Sequence, residues 1–369
     1  FRPNMDKLNM IVYLMYYQLF MMKMKVPVII FTLVVFGMIP LAFGQSYPEM
    51  GIKVDVVADN LKVPWAIDFA SDGRVFFTER VGNVNVIENG DVKQIMSLGV
   101  GGGEGGMLGI ALDPNFDENH HIYVYYTYNE LLGIKNRLVQ YVEWNNILTD
   151  EKVLVEGIPG APYHDGGRIK FGPDGMLYVT TGDAVEPDLS QDVNSVAGKI
   201  LRINSDGTIP EDNPFVNRTN AKKAIYSYGH RNPQGMEINP FTGEIWTHEH
   251  GPRGGDEINI VQKGKNYGWP KASFGINYSG TTFTDKTSIP GMEDPLYQWT
   301  PSIAPSGMAF VNSNKYPGLK GSLLVGSLKF KYVSICTLEN GKVTKEEKIL
   351  EGLGRVRSIE QGPKGYIYV

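Results

Sequence analysis

Apolar and polar residues alternate in short runs along most of the chain, and a turn precedes each run. Ser71-Asp72-Gly73 leads into Val75 to Thr78, Asp117 to His121 into Ile122 to Tyr126, and Pro173-Asp174-Gly175 into Leu177 to Thr181. The unit returns at Thr242-Gly243 with Glu244 to Thr247, at Leu319-Lys320-Gly321 with Ser322 to Val325, and at Pro363-Lys364-Gly365 with Tyr366 to Val369. The turn residues tolerate tight backbone geometry, and the aromatic and β-branched residues after them fit a pleated surface. Six markers at a base period of roughly 45 to 50 residues, with insertions, predict an all-β, six-bladed β-propeller. A sandwich would need shorter and more even strand spacing, and no long amphipathic helical pattern points to an α/β fold. The sixth unit stops after its first hairpin begins, so the last blade reads as truncated. The two widest spacings are assigned to the fourth and fifth units, where extra loop length carries function.

The N-terminal pattern differs. Met22-Lys23-Met24-Lys25, the apolar run Val26 to Phe36, and Pro40 with Ala42-Phe43-Gly44 before Gln45 have the layout of a secretory signal. Residues 1–44 are therefore read as a signal peptide or upstream extension, with residues 1–21 set aside. Residues 45–369 form a single propeller domain, and the product is expected to be secreted or extracytoplasmic. The alternative is an uncleaved anchor, because the apolar run approaches the shortest length that spans a bilayer. A first residue of Phe and a last strand cut at Val369 read as a fragment at both ends.

Net charge of −5 with no basic stripe excludes a nucleic-acid partner. The single cysteine, Cys336, excludes an intrachain disulfide and any multi-cysteine metal site.

Candidate chemistry gathers away from the hairpin tips. Met236 to Ile238 and Glu244 to Thr247 flank the turn Asn239 to Gly243 and pair as antiparallel strands. Counting outward sets Arg231 and Asn232 beside His250, Gly251 and Pro252. The same counting around Gly172 to Gly175 sets His164 opposite Asp183, where a carboxylate holds an imidazole in one tautomer and raises its basicity. The competing reading is a histidine that merely bonds a turn; the flanking glycines favour function because they permit close ligand approach. Glu104, Ser302 and Lys329 fall at the same end, and Arg355 and Arg357 precede the sixth turn. Lys329, Arg355 and Arg357 beside Arg231 predict an anionic ligand such as a polycarboxylate or phosphate.

Other patterns carry less. Gly101, Gly103 and Gly106 match a dinucleotide spacing, but no helix opens after them. His248 and His250 share a strand face compatible with a zinc pair, without an evident third ligand. Gly251 to Glu257 offers carbonyls and the carboxylates of Asp256 and Glu257, a hard-oxygen set suited to calcium; an acidic solvated turn is the other reading.

Several runs together resemble the glucose/sorbosone dehydrogenase family, six-bladed quinoprotein sugar dehydrogenases that use pyrroloquinoline quinone (PQQ) and calcium. They are Gly103 to Gly109, His164 with Gly166-Gly167-Arg168, Gly198 to Arg202, Tyr228 to Gly235, Asp256 to Asn259, and Asn266 to Pro270. The resemblance covers about Val54 to the end. It implies an enzyme that oxidises aldoses at C1 to lactones and passes electrons to an external acceptor. His164 would be the base and Asp183 its orienting partner. Arg231 and Asn232 would bind cofactor and developing charge; Lys329, Arg355 and Arg357 would bind its carboxylates, with Glu104 and Ser302 also at the cofactor. Gly251 and Pro252 would hold calcium through their carbonyls, and Glu257 with Tyr267 resembles a second, structural calcium site. Two departures bear on substrate: Glu104 stands where glucose-specific relatives carry Gln, and Trp299-Thr300-Pro301-Ser302 is one residue longer than their run. A broad aldose range is expected. Calcium-dependent lactonases and non-catalytic carbohydrate-binding propellers share the architecture, but neither needs the ring of cations together with His164. Sequons at Asn217 and Asn277 are candidate glycan sites.

Overall fold

In the computed structural model, residues 10–16, 45–47, 51–131 and 133–369 are described. Their strands form six antiparallel sheets in a ring. Blade 1 comprises Pro64–Phe69, Val75–Glu79, Asn83–Glu88 and Asp91–Ser97, and blade 2 comprises Met107–Leu112, His121–Glu130, Gly133–Trp144 and Ile147–Pro159. Blade 3 runs Ile169–Phe171, Leu177–Thr181, Lys199–Ile203 and Ile225–Tyr228; blade 4 runs Pro233–Ile238, Ile245–Glu249, Asp256–Val261 and Tyr297–Trp299. Blade 5 is Pro305–Phe310, Leu323–Ser327, Val333–Glu339 and Lys342–Ile349. Each turn marker sits at the hairpin between the two inner strands of its blade. The hairpin around Asn239 to Gly243 pairs Ile238 with Ile245 and Met236 with Thr247, as its flanking apolar runs require.

Burial follows position in the ring. Middle strands such as Val75–Glu79, Leu177–Thr181 and Leu323–Ser327 are buried at every residue, because both sheet faces pack on neighbouring blades. Outer strands such as Asp91–Ser97 and Ile147–Pro159 are mostly exposed and carry the polar half of the alternation.

Two expectations change. The sixth sheet does not stop at its first hairpin: Glu360–Gln361 and Ile367–Tyr368 continue into Ile11–Tyr16, then Ile52–Ala58 and Gln45–Tyr47. Residues 11–16 therefore belong to the blade, although the sequence reading set them aside. Their apolar side chains are the reason, since Ile11, Val12 and Leu14 are buried, and Val12 exchanges both backbone hydrogen bonds with Val369 (2.9 and 2.8 Å). The signal pattern over residues 22–44 lies outside the described residues. The extra length also lies one unit earlier than expected. Residues 182–198 and 204–224 extend blade 3 and 262–296 extend blade 4, because each marker spacing runs from one blade's first hairpin to the next. Among the described residues, no helix is long and apolar enough to cross a membrane.

Candidate active site

The polar residues singled out from the sequence lie at one end of the ring, where the innermost strands begin and their partners end. His164 precedes the inner strand of blade 3, and Asp183 follows its partner. The His164 Nδ1 stands 2.7 Å from Asp183 Oδ1. Asp183 is fully buried, and its other bonds come from the Val185 backbone N–H (2.9 Å) and the Trp269 indole N–H (2.8 Å). An acceptor so committed requires Nδ1 to carry the hydrogen, which leaves Nε2 as the basic nitrogen. The His164 side chain remains 16% exposed, so that nitrogen stays within reach of a ligand.

Local backbone makes this pairing possible. His164 has a φ of 64°, in the left-handed region, and Gly166 follows at 66°. A Cβ at Gly182 would lie 1.9 Å from the His164 carbonyl oxygen, so only glycine lets the two loops approach this closely. Asn232 ties the approach to blade 4 by accepting from the Gly166 N–H at 3.1 Å.

Arg231 donates from Nη1 to the carbonyls of His250 and Gly251, both at 3.0 Å, confirming the neighbours that the hairpin count predicted. Its guanidinium also lies 5.2 Å from the Trp269 ring, so one indole contacts both Asp183 and Arg231. Arg231 Nε and Asn232 Nδ2 are buried without a hydrogen-bond partner. Buried donors of this kind are costly unless a ligand meets them.

A cationic wall lines the cavity beside the loop of the base. Arg80, Arg355 and Arg357 line a cavity together with Glu104 and Trp65, and the Arg168 guanidinium lies 4.2 Å from the Trp65 ring and donates to the Arg357 carbonyl at 3.2 Å. Burial, reinforced by the charges of Arg355 and Arg80, pushes Arg357 down to about 10. Guanidinium groups crowded against each other favour an anionic ligand by relief of that repulsion. Lys329 stands exposed at the rim, following the pocket-lining Leu328. Glu104 is also exposed, and its N–H donates to Pro162 at 2.8 Å, joining its glycine-rich loop to the loop of the base.

The remaining candidates divide. The Ser302 hydroxyl donates to Asp256 rather than into the cavity. Asp256 also accepts from the Gly251 N–H (2.8 Å), the Ile303 N–H (2.7 Å) and the Ala304 N–H (2.8 Å). Those donors occupy its carboxylate, which corrects its place in the calcium set and makes it the brace of the Gly251 loop. Glu257 lines a separate small cavity with Tyr267, Gly251 and Ala272; burial and the neighbouring Glu249 hold its carboxyl well above the usual range, the condition a hard cation would reverse. The histidine pair is structural: His248 Nε2 approaches the Gly307 carbonyl at 3.4 Å and His250 Nε2 that of Pro305 at 2.8 Å, both on the inner strand of blade 5. Among the described residues no cluster of His, Cys, Asp and Glu side chains has metal-binding geometry.

Sequence reasoning missed Arg80, Trp269 and Asp165. Arg80 was accessible to it, because it follows the first hairpin of blade 1 as Asp183, His250 and Lys329 follow theirs. Trp269 and Asp165 carried no such signal.

The family described as glucose/sorbosone dehydrogenase matches residues 61–369. The chain is 39% identical over 331 residues to an aldose sugar dehydrogenase of Escherichia coli, covering 86% of this chain and 89% of the relative. A solved apo form of the soluble Escherichia coli aldose sugar dehydrogenase superposes with a TM-score of 0.81 at 37% identity, covering 85% of this chain and 94% of that one. A PQQ-bound aldose sugar dehydrogenase from Streptomyces coelicolor superposes with a TM-score of 0.71 at 31% identity, covering 87% and 90%.

Proposed function

The chain belongs to the glucose/sorbosone dehydrogenase family, and on that premise we propose that it oxidises aldose sugars at C1 to lactones, with PQQ as acceptor and calcium as cofactor. The observation that carries this reading is His164, fixed by Asp183 with its second nitrogen free, on the loop whose next residues, Asp165 and Gly166, line a cavity with Arg80, Arg355 and Arg357.

The residues fit an anionic quinone. Arg355, Arg357 and Lys329 offer charge to carboxylates, while Arg231 Nε and Asn232 Nδ2 are buried donors in need of acceptors. For calcium, the hard donors would be the Pro252 carbonyl and the second lone pair of the Gly251 carbonyl, which already accepts from Arg231, on a loop braced by Asp256. When bound, the quinone supplies a two-electron acceptor for the hydrogen leaving C1.

The protein's part is proton handling and orientation. His164 Nε2 accepts the proton of the C1 hydroxyl as its O–H bond breaks, and Asp183 stabilises the imidazolium that forms. Arg231 stabilises negative charge developing on the sugar oxygen. Trp269 supports both roles, through its hydrogen bond to Asp183 and its ring beside Arg231. Glu104 at the rim would contact the sugar, and its exposure agrees with a broad aldose range. Electrons would leave to an external acceptor, and the signal-like residues 22–44 support an extracytoplasmic setting.

The test is spectroscopic. Purified protein is titrated with PQQ and calcium, then given an aldose anaerobically; reduction of the bound quinone in proportion to sugar supports the assignment. Tight quinone binding with no reduction by any aldose would overturn it.

A further inference from the structure

Asp165, between the base and Gly166, has no role in the mechanism above, yet it is placed to influence it. Its side chain is buried and it lines the cavity with Glu104, Arg355 and Arg357. Oδ1 accepts from Asn136 Nδ2 at 3.0 Å and from the Ala161 N–H at 3.2 Å. Asn136, fully buried in blade 2, in turn accepts from the Thr127 hydroxyl at 2.7 Å. The Asp165 backbone carbonyl accepts from the Tyr125 hydroxyl at 3.0 Å. Asp165 Oδ2 is buried and has no hydrogen-bond partner. One oxygen thus fastens the loop of residues 160–166 to blade 2, while the other leaves a charge uncompensated at the cavity wall.

We propose that Asp165 is a positioning residue for His164: Oδ1 holds the loop that presents the imidazole, and the unpaired Oδ2 places a negative charge beside it. This deepens the dehydrogenase reading and rests on it. The physical need is specific to this mouth. Arg80, Arg355 and Arg357 line the same cavity as Asp165, and cations disfavour the charging of any imidazole brought near them. Asp183 is bonded to the imidazole, and Asp165 adds a second carboxylate directly next to the base in the chain. Tyr125 and His250 are the other titratable groups around this cavity. Burial, followed by the charge of Glu104, pushes the Asp165 carboxyl up to about 6, while its two hydrogen bonds and His164 act against the rise. Asp165 therefore loses its charge as the medium turns acidic through about pH 6.

The experiment uses cofactor-free protein, so its outcome does not depend on turnover. Imidazole resonances are followed by NMR from pH 4.5 to 9 in the parent, in Asp165→Asn and in Asp165→Ser, with His164 assigned from His164→Gln. In the parent, the His164 titration should show a second inflection near the Asp165 midpoint. In both variants that inflection should vanish and the His164 midpoint should fall by roughly half to one pH unit. Reconstituted Asp165→Asn should bind the anionic cofactor at least as tightly as the parent, because a negative charge leaves the cavity wall, while kcat drops and its acid limb moves with the His164 midpoint. A loop fastening without charge would lower kcat but leave the titration of His164 in Asp165→Asn identical to the parent, and that result overturns the proposal. Failure of the parent to oxidise any aldose would count against the dehydrogenase reading, with the Asp165 assignment still decided by the resonances.

Discussion

The indole N–H of Trp269, in the long insertion of blade 4, donates a 2.8 Å hydrogen bond to Asp183 of blade 3. The residue that orients the base is thus held from across a blade boundary. Trp269→Phe keeps an aromatic ring beside Arg231 but leaves a buried carboxylate oxygen unpaired. An unsatisfied buried acceptor costs about 1–3 kcal/mol. The expected result is a kcat reduced by roughly ten-fold or more at nearly unchanged cofactor affinity, read by steady-state kinetics and quinone titration.

His164→Gln tests the base itself. Glutamine preserves polarity and approximate size, but it accepts no proton. Loss of a general base typically costs about 10² to 10⁴ in rate. The reconstituted variant should bind quinone as the parent does and turn over aldoses that much more slowly; an undiminished rate would remove His164 from the mechanism.

The cationic wall makes a different prediction. Arg357→Ala removes a guanidinium whose burial and like-charged neighbours already disfavour it. If an anion is the natural occupant, cofactor affinity should fall by roughly 10- to 100-fold, the weight of a charge-assisted hydrogen bond. Apo stability should hold or rise, because the repulsion with Arg355 and Arg80 is relieved. Isothermal titration with PQQ and thermal melting of apo protein separate these effects.

How much was legible in the sequence follows from the period of each feature. Strand pairing across a tight turn is a matter of counting, which is why His164 met Asp183 and Arg231 met the His250 to Pro252 loop. Arg80 obeys the same count and was overlooked for want of a motif around it. Trp269 and Asp165 act through contacts set by loop folding: one crosses blades inside a long insertion, and the other reaches Asn136 some thirty positions earlier. Asp256 appeared as a calcium ligand because its four backbone and hydroxyl donors come from loops whose approach has no sequence signature. Ile11–Tyr16 was overlooked for a simpler reason, its position ahead of a signal-like segment, although its apolar side chains suit a buried strand.

Calcium should couple to stability at Glu257. A cation bound only by the folded state stabilises it by mass action, by about 2.7 kcal/mol at a hundred-fold excess over Kd. Chelation of metal-loaded protein should lower the melting temperature, and Glu257→Gln should reduce that response. An equal loss on chelation in parent and variant would place the structural ion elsewhere.

The far end of the ring predicts a pH dependence. Lys170 of blade 3 donates to Glu360 of blade 6 at 2.9 Å and also to Glu237 of blade 4, so one ammonium serves two carboxylates across the axis. Burial pushes Glu360 up to about 8; Lys170 opposes the rise, and the charges of Glu237 and Asp68 add to it. The ordinary glutamate value, which the unfolded chain has, is about 4.3. Between those values the folded protein retains a proton that the unfolded chain has released, so stability decreases as pH rises through the window, by at most about 1.4 kcal/mol per pH unit. Asp165 acts in the same direction up to about 6 and the raised carboxyl of Glu257 adds to it, whereas buried Lys199, pushed down to about 7, acts the other way, so the share of Glu360 is read from the difference between parent and variant. From pH 6 to pH 8 the parent should therefore lose melting temperature relative to Glu360→Gln. Glu360→Gln has no proton to lose there and keeps Glu237 as a partner for Lys170, so its curve should lack that loss over the same interval. Parallel curves for the two proteins would show that Glu360 is already ionised at pH 6 and that the shared ammonium outweighs burial.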